Sequence, residues 1–175
     1  MFEHLREYSR ILVTGPHRSG TTIAATMIAH DTGHDLVKEE EFFYTRPEAF
    51  ECLYDADYGP KVMQCPFMAC RIHYYPEALV VWMNRPDQEI YDSISRMTTI
   101  TDRKIMFHGW FVKEFDAYHT DEEDILKIKR ENWELQKERL PHYIEIDYHT
   151  LSEHPLWIPK EKRNWHLRAT NHGVV

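Results

Sequence analysis

Gly15-Pro16-His17-Arg18-Ser19-Gly20-Thr21-Thr22 lies between a short β-rich apolar run, Arg10 to Thr14, and a small-residue segment, Thr21 to His30, that can continue as a helix. Strand, glycine loop and helix form the context in which a G-x-x-x-x-G spacing binds phosphate. The glycines allow close backbone approach, successive N–H groups turn inward, and the positive end of the helix attracts an anion. The Thr hydroxyls add donors. A Walker A loop needs Lys directly after the second Gly to reach the β and γ phosphates, and this chain has Thr21 there. ATP chemistry is therefore disfavoured. The loop's cation is instead Arg18, and the apolar run Ala78 to Met83 offers no acid to hold magnesium.

Outward from this loop the pattern repeats. Ala78 to Met83 reads as a strand covered on both faces, and Pro86 suits the first turn of a helix running through Met97. Asp35 to Val37 is a further short strand candidate. Thr120 followed by Glu123 has the form of a capping box, and Ile125, Ile128 and Leu135 give a helical stripe that ends before Pro141. Tyr143 to Tyr148 alternates apolar and charged residues, as a strand does. The Pro- and Trp-containing tail has no sustained period and reads as a loop over a ligand. Alternating strands and helices predict a mainly parallel sheet with helices on both faces, its ligands beyond the carboxyl ends of the strands.

Arg18-Ser19-Gly20-Thr21-Thr22 resembles the 5'-phosphosulfate loop of the sulfotransferase superfamily, a Lys or Arg followed by Ser-Gly-Thr-Thr after the first strand. The resemblance implies that Arg18 neutralises charge near the bridging oxygen during transfer, while Ser19, Gly20, Thr21 and Thr22 hold the 5'-phosphate. A second signature is a strand ending in Arg, often followed by Pro, with a Ser eight residues on. Val80-Val81-Trp82-Met83-Asn84-Arg85-Pro86 followed by Ser93 is similar to it. A guanidinium can clamp phosphate in a planar fork, and the Ser two helical turns on can donate to the same group. The family uses this pair for the nucleotide's 3'-phosphate. Tyr148-His149-Thr150-Leu151 resembles a Tyr-acid-x-Leu segment, with His149 in place of the acid, and assigns Tyr148 to adenine. Lys160, Lys162 and Arg163 are similar to the basic C-terminal loop over the 3'-phosphate, without its glycines; a solvated charge run is an equal reading.

The resemblance implies a single domain over 1–175, a three-layer α/β/α fold of the P-loop NTPase-like type, and 3'-phosphoadenosine 5'-phosphosulfate (PAPS) as co-substrate. Its sulfuryl group would pass to a hydroxyl or amine acceptor. Such transfer needs in-line positioning, charge stabilisation and a base. Lys38-Glu39-Glu40-Glu41-Phe42 resembles the Glu-Glu segment that supplies the catalytic Glu in several branches, and Glu40 is the residue chosen; Glu41, His73 and His108 stay open as alternatives. Phe42, Phe43, Tyr44, Trp110 and Phe111 could line an acceptor pocket, although aromatic stripes are more often core.

Composition sets outer bounds. Length 175 and 42% apolar content suit one core. A formal charge of −8 argues against a general nucleic-acid binder, so any phosphate site must be local. No run approaches a membrane span and Met1 to Arg10 is too polar for a secretory signal, which makes the cytoplasm the default compartment. Cys52, Cys65 and Cys70 suggest neither a disulfide framework nor a structural metal, and the twelve His are scattered, so no metal is expected. A small-molecule or nucleotide kinase and a non-catalytic nucleotide-binding protein are the competing readings. A homodimer and an exposed macromolecular acceptor both stay open.

Overall fold

Arg10–Thr14 (β1) is the central strand of a five-stranded sheet. The structure, a computed structural model, describes residues 1–41, 50–51, 54–55, 59–96 and 122–159. The other strands are Asp35–Val37 (β2), Lys61–Gln64 (β3), Leu79–Asn84 (β4) and Tyr143–Asp147 (β5). Their order is β2-β3-β1-β4-β5 and every pairing is parallel. Among the described residues the α-helices with a defined range are Thr21–Thr32 (α1), Asp87–Ser95 (α2) and Glu122–Lys137 (α3).

Side-chain alternation divides the central strands between two cores. Ile11, Val13, Val62, Leu79, Val81 and Met83 pack with α1 through Ala24, Ala25, Met27 and Ile28. Leu12, Met63, Val80 and Trp82 face the other way and pack with Trp133 of α3 and the segment Pro66–Cys70. Trp82 and Trp133 stack with centroids 4.6 Å apart and planes 3° apart. Helix on one face and helix on the other make the three-layer α/β/α arrangement that the sequence predicts.

Most expected elements occur within a residue or two of their expected bounds. β3 is the exception, with no counterpart in the sequence reading: Lys61 and Gln64 flank only two apolar residues, yet all four positions are buried between β1 and β2. The α3 stripe also differs from its expectation. Its buried positions are Ile125, Leu126, Lys129, Trp133 and Gln136, while Leu135 is 67% exposed. Thr120 and Met97 lie outside the described residues. No helix among the described residues is long and apolar enough to cross a membrane.

The strand order positions the site. The chain leaves β1 toward β2 on one side, then crosses from β3 past β1 to β4 on the other. At such a reversal the two connections part and leave a crevice beyond the carboxyl end of the central strand. The 15–20 loop occupies that point.

Candidate phosphate-binding site

The loop is anchored on both sides before it turns. Thr14 Oγ1 donates to the Cys65 carbonyl at 3.0 Å, and the Cys65 N–H donates to the Val13 carbonyl at 2.9 Å. Gly15 follows at φ 141°, where an added Cβ would lie 2.9 Å from the Met83 carbonyl oxygen. Gly20 has φ 102°, and its Cβ would meet the Tyr148 ring at 2.5 Å. Both positions require glycine for conformation and for space. Arg18, at φ 68°, is the positive-φ non-glycine residue of the chain's described part. A left-handed Arg costs about 1 kcal/mol, strain of the kind stored at functional sites.

This path brings the Ser19 N–H to the Pro16 carbonyl at 3.1 Å and leaves Ser19 Oγ buried with no hydrogen-bond partner. A buried hydroxyl without a partner is unfavourable and calls for an explanation. Gly20 gives α1 no side-chain cap, and the first turn of the helix carries no acid. The positive helix end is therefore not neutralised locally, and Thr21 and Thr22 sit in that turn, Thr21 buried. Unspent donors at a helix N-terminus suit a tetrahedral anion.

Both sequence motifs converge here. Arg18 Nε donates to Ser93 Oγ at 3.1 Å, joining the loop to α2. Arg85 Nη1 donates to the Arg18 carbonyl at 2.9 Å, and its Nε donates to Glu89 Oε2 at 3.0 Å. The same guanidinium stands 4.1 Å from the centre of the Tyr148 ring, and that ring abuts Gly20. Arg18, Gly20, Arg85, Ser93 and Tyr148 thus form one contiguous group. Ser93 partners Arg18 and Arg85 partners Glu89, so each of the expected phosphate-clamp residues has its own internal bond. Burial resists ionisation of Glu89, but the Arg85 hydrogen bond and the neighbouring His149 hold its carboxyl below the usual range. His149 has Nε2 2.9 Å from Glu89 Oε1.

The Glu-rich run folds into a single 3-10 turn, Glu39–Glu41, directly after β2. Glu41 accepts from the Lys38 N–H at 2.8 Å and is exposed. Glu40 lies in the turn, and its side chain falls outside the described portion. Glu39 meets the loop: its Oε1 is 3.6 Å from His17 Nε2, is buried, and accepts no hydrogen bond. His73 is tied to Gln136 Oε1 through Nδ1 at 2.8 Å. His108, Lys160, Lys162, Arg163 and the aromatic candidates Phe42, Phe43, Tyr44, Trp110 and Phe111 lie outside the described residues.

Two residues of this neighbourhood escaped the sequence reading. His17, inside the loop, is 7% exposed, and its Nδ1 is 2.8 Å from Nζ of Lys129, which is 2% exposed. Burial pushes the Lys129 ammonium down to about 8, and burial together with the Lys129 charge pushes His17 down. The available signal was a lysine four residues after Ile125 on the buried face of α3. Away from the loop, a cavity of about 550 Å³ is lined by Phe50, Tyr54, Phe67, Arg71, Tyr75 and Glu77 among others, and includes no loop residue.

His30, Asp31 and His154 also cluster, their ligand atoms within 4.8 Å of one another. The hydrogen bonds account for them. His154 Nδ1 accepts the Leu156 N–H at 3.1 Å, so Nε2 carries the proton and donates to Asp31 Oδ1 at 3.1 Å. Asp31 Oδ2 takes the Phe2 N–H at 2.8 Å and the Met1 ammonium at 3.0 Å. This is a tie between the N-terminus, α1 and the segment after β5, with no lone pair of His154 left for a cation.

Two solved structures share the architecture. YorR from Bacillus subtilis, in complex with phosphorylated GDP, is 14% identical with a TM-score of 0.50; the match covers 80% of this chain and 86% of that one. Shikimate kinase from Acinetobacter baumannii, in complex with shikimate, is 15% identical with a TM-score of 0.51, over 83% and 88%. The fold is the P-loop α/β fold. The sequence matches no family profile and no curated protein at a significant level.

Proposed function

We propose that the chain is a nucleotide-dependent group transferase whose 15–22 loop holds the donor's phosphates and whose 39–41 turn supplies the base for a hydroxyl or amine acceptor. The observation that carries this reading is the buried Ser19 hydroxyl, without a partner, at an uncapped helix N-terminus in a loop with three left-handed residues. An anion there would satisfy the hydroxyl and the helix end together.

For the transferred group, the fold likeness favours phosphoryl. One similar structure is a shikimate kinase and the other was solved with a phosphorylated GDP, which supports a small-molecule or nucleotide kinase better than it supports a sulfotransferase. A specific residue pattern favours the second reading, sulfuryl transfer from PAPS. Thr21 stands where a kinase loop keeps Lys, and β3 and β4 end in Gln64 and Asn84, neither of them an acid for magnesium. The second motif, Arg85 and Ser93, lies against the loop, as a nucleotide bearing a 3'-phosphate would need.

Calorimetry with 3'-phosphoadenosine 5'-phosphate, ADP and ATP, each with and without magnesium, separates these readings. Tighter, magnesium-dependent ATP binding establishes the kinase form; tighter, magnesium-independent binding of the 3'-phosphorylated nucleotide establishes the sulfuryl form. Binding of none of the three overturns the group-transfer reading. Once an acceptor is found by screening with labelled donors, Glu39→Gln and Glu40→Gln identify the base. The correct one lowers turnover by roughly 100-fold or more while nucleotide affinity survives. Normal turnover in both removes the turn from the chemistry.

A further inference from the structure

A lysine in place of an apolar residue on the buried face of α3 is energetically unfavourable unless something uses it. Ile125, Leu126 and Trp133 around it are fully or almost fully buried, and an apolar side chain of similar volume would pack there without desolvating a charge. Lys129 instead sends its ammonium to the phosphate loop. Its Nζ is 2.8 Å from His17 Nδ1. An ammonium only donates, so Nδ1 accepts and the imidazole proton resides on Nε2, facing Glu39 Oε1 at 3.6 Å. Nδ1 is hydrogen-bonded, Nε2 faces a buried carboxylate oxygen that accepts no hydrogen bond, and the third residue of the loop thus sits between a cation and a carboxylate.

We propose that Lys129 supplies the positive charge that this loop lacks after Gly20, with His17 as the positioning residue between them, so that an anion on the loop and a proton on Lys129 are bound together. The proposal rests on reading the loop as a phosphate site. The structure supplies the geometry and general electrostatics supplies the coupling: an anion near a buried ammonium favours its charged form. His17 from the loop, Glu39 from the turn after β2 and Cys70 from the Pro66–Cys70 segment are the titratable groups that act on Lys129, and Arg18 from the loop adds its charge at His17. Burial leaves the ammonium near its midpoint at about pH 8, so the coupling is visible in mildly alkaline solution. The sign follows: the free protein loses the Lys129 proton as pH rises through that value, the anion-bound protein keeps it to higher pH, and affinity therefore falls as pH rises.

The test is proton-linked calorimetry on the full chain at pH 7, 8 and 9, in buffers of different ionisation enthalpy, with 3'-phosphoadenosine 5'-phosphate and with ADP as probes. Uptake of up to about half a proton at pH 8, and an affinity up to roughly ten-fold weaker at pH 9 than at pH 7, are the expected results for whichever nucleotide binds. Lys129→Met should abolish the uptake and flatten the pH dependence at weakened affinity. Lys129→Arg should flatten it while keeping affinity, because the guanidinium does not titrate. Cys70→Ser should keep the uptake. A wild-type protein that binds nucleotide without proton uptake near pH 8, or a Lys129→Met variant that keeps it, overturns the proposal and leaves the phosphate-loop reading intact. Failure of both nucleotides to bind the wild type overturns that reading and the proposal with it. If Lys129→Met does not fold, the wild-type uptake and the Cys70→Ser control still decide.

Discussion

Arg18 combines two terms that oppose each other in stability but not in function, and paired substitutions separate them. Its backbone is held at φ 68°, and its side chain donates from Nε to Ser93 Oγ at 3.1 Å. Arg18→Ala keeps the left-handed strain and loses the side-chain bond, for a cost of about 1 to 2 kcal/mol. Arg18→Gly loses the same bond but relieves the strain. That relief is partly offset by the extra freedom glycine gives the unfolded chain, and the glycine variant should be more stable than the alanine variant by about 0.5 to 1 kcal/mol. Urea unfolding of both variants measures the difference directly, and in thermal melts it amounts to roughly 1 to 4 °C for a chain of this size. Nucleotide affinity should not follow stability. Both variants lose the guanidinium at the loop, so both should bind 3'-phosphoadenosine 5'-phosphate or ADP about 10- to 100-fold more weakly than the parent, whichever of these nucleotides the parent binds. An alanine variant as stable as the glycine variant refutes the strain argument. Parental affinity in either removes Arg18 from the anion site.

Gly20→Ala places a methyl 2.5 Å from the Tyr148 ring at a φ of 102°, so it should cost about 2 to 4 kcal/mol in urea unfolding, with Tyr148 displaced from the loop. A variant within a few tenths of a kcal/mol of the parent would mean that the ring does not constrain the loop. At the other end of the molecule, Asp31→Asn keeps shape but loses the charge-assisted bonds to the Met1 ammonium and His154, for about 2 to 4 kcal/mol at pH 7. Burial resists the ionisation of Asp31, but bonds from the Phe2 N–H, His30, the N-terminus and His154 hold its carboxyl well below the usual range. A depressed carboxyl stabilises fully above its unfolded value of about 4 and loses that contribution as pH falls below it. The gap between parent and variant should therefore narrow from pH 7 to pH 3, and an unchanged gap would show that the charge of Asp31 contributes nothing.

The legible part of this fold is the part where local pattern and tertiary role agree. β1, α1, β2 and β5 could be read because an apolar or alternating run meets a glycine, a helix former or a proline at its end. β3 could not, because its ends are Lys61 and Gln64 and only the neighbouring strands make a four-residue segment a strand. The buried face of α3 differs from its apolar stripe for a related reason. Counting apolar residues selects Ile128 and Leu135, whereas the face that packs on the sheet includes Lys129 and Gln136, whose polar atoms are used by His17, His73 and the Ala69 carbonyl. At the site, the spacing of Arg18, Gly20, Arg85, Ser93 and Tyr148 was enough to select residues that meet in space. It was not enough to choose among three consecutive glutamates, since which carboxylate of a short turn reaches the loop is set by packing, which brings Glu39 to His17 and leaves Glu41 exposed.

The cations around the loop come from separate elements: Arg18 from the loop, Arg85 from the end of β4, and Lys129 and Arg130 from α3. Each is already engaged. Arg85 is held by Glu89, by the Arg18 carbonyl and over Tyr148, and Arg130 donates to the Arg85 carbonyl at 2.7 Å and to Asp87. In a chain of net charge −8, clustered guanidinium and ammonium groups would otherwise repel one another, and carboxylates interleaved among them relieve that repulsion. On the group-transfer reading, an arriving phosphate displaces part of this internal pairing rather than filling an unoccupied positive hole. Its affinity is then a difference between two sets of charge-assisted bonds. A loop of this kind discriminates by geometry, because only an anion that offers these cations partners as good as Glu89, Asp87, Ser93 and His17 already are can repay the exchange.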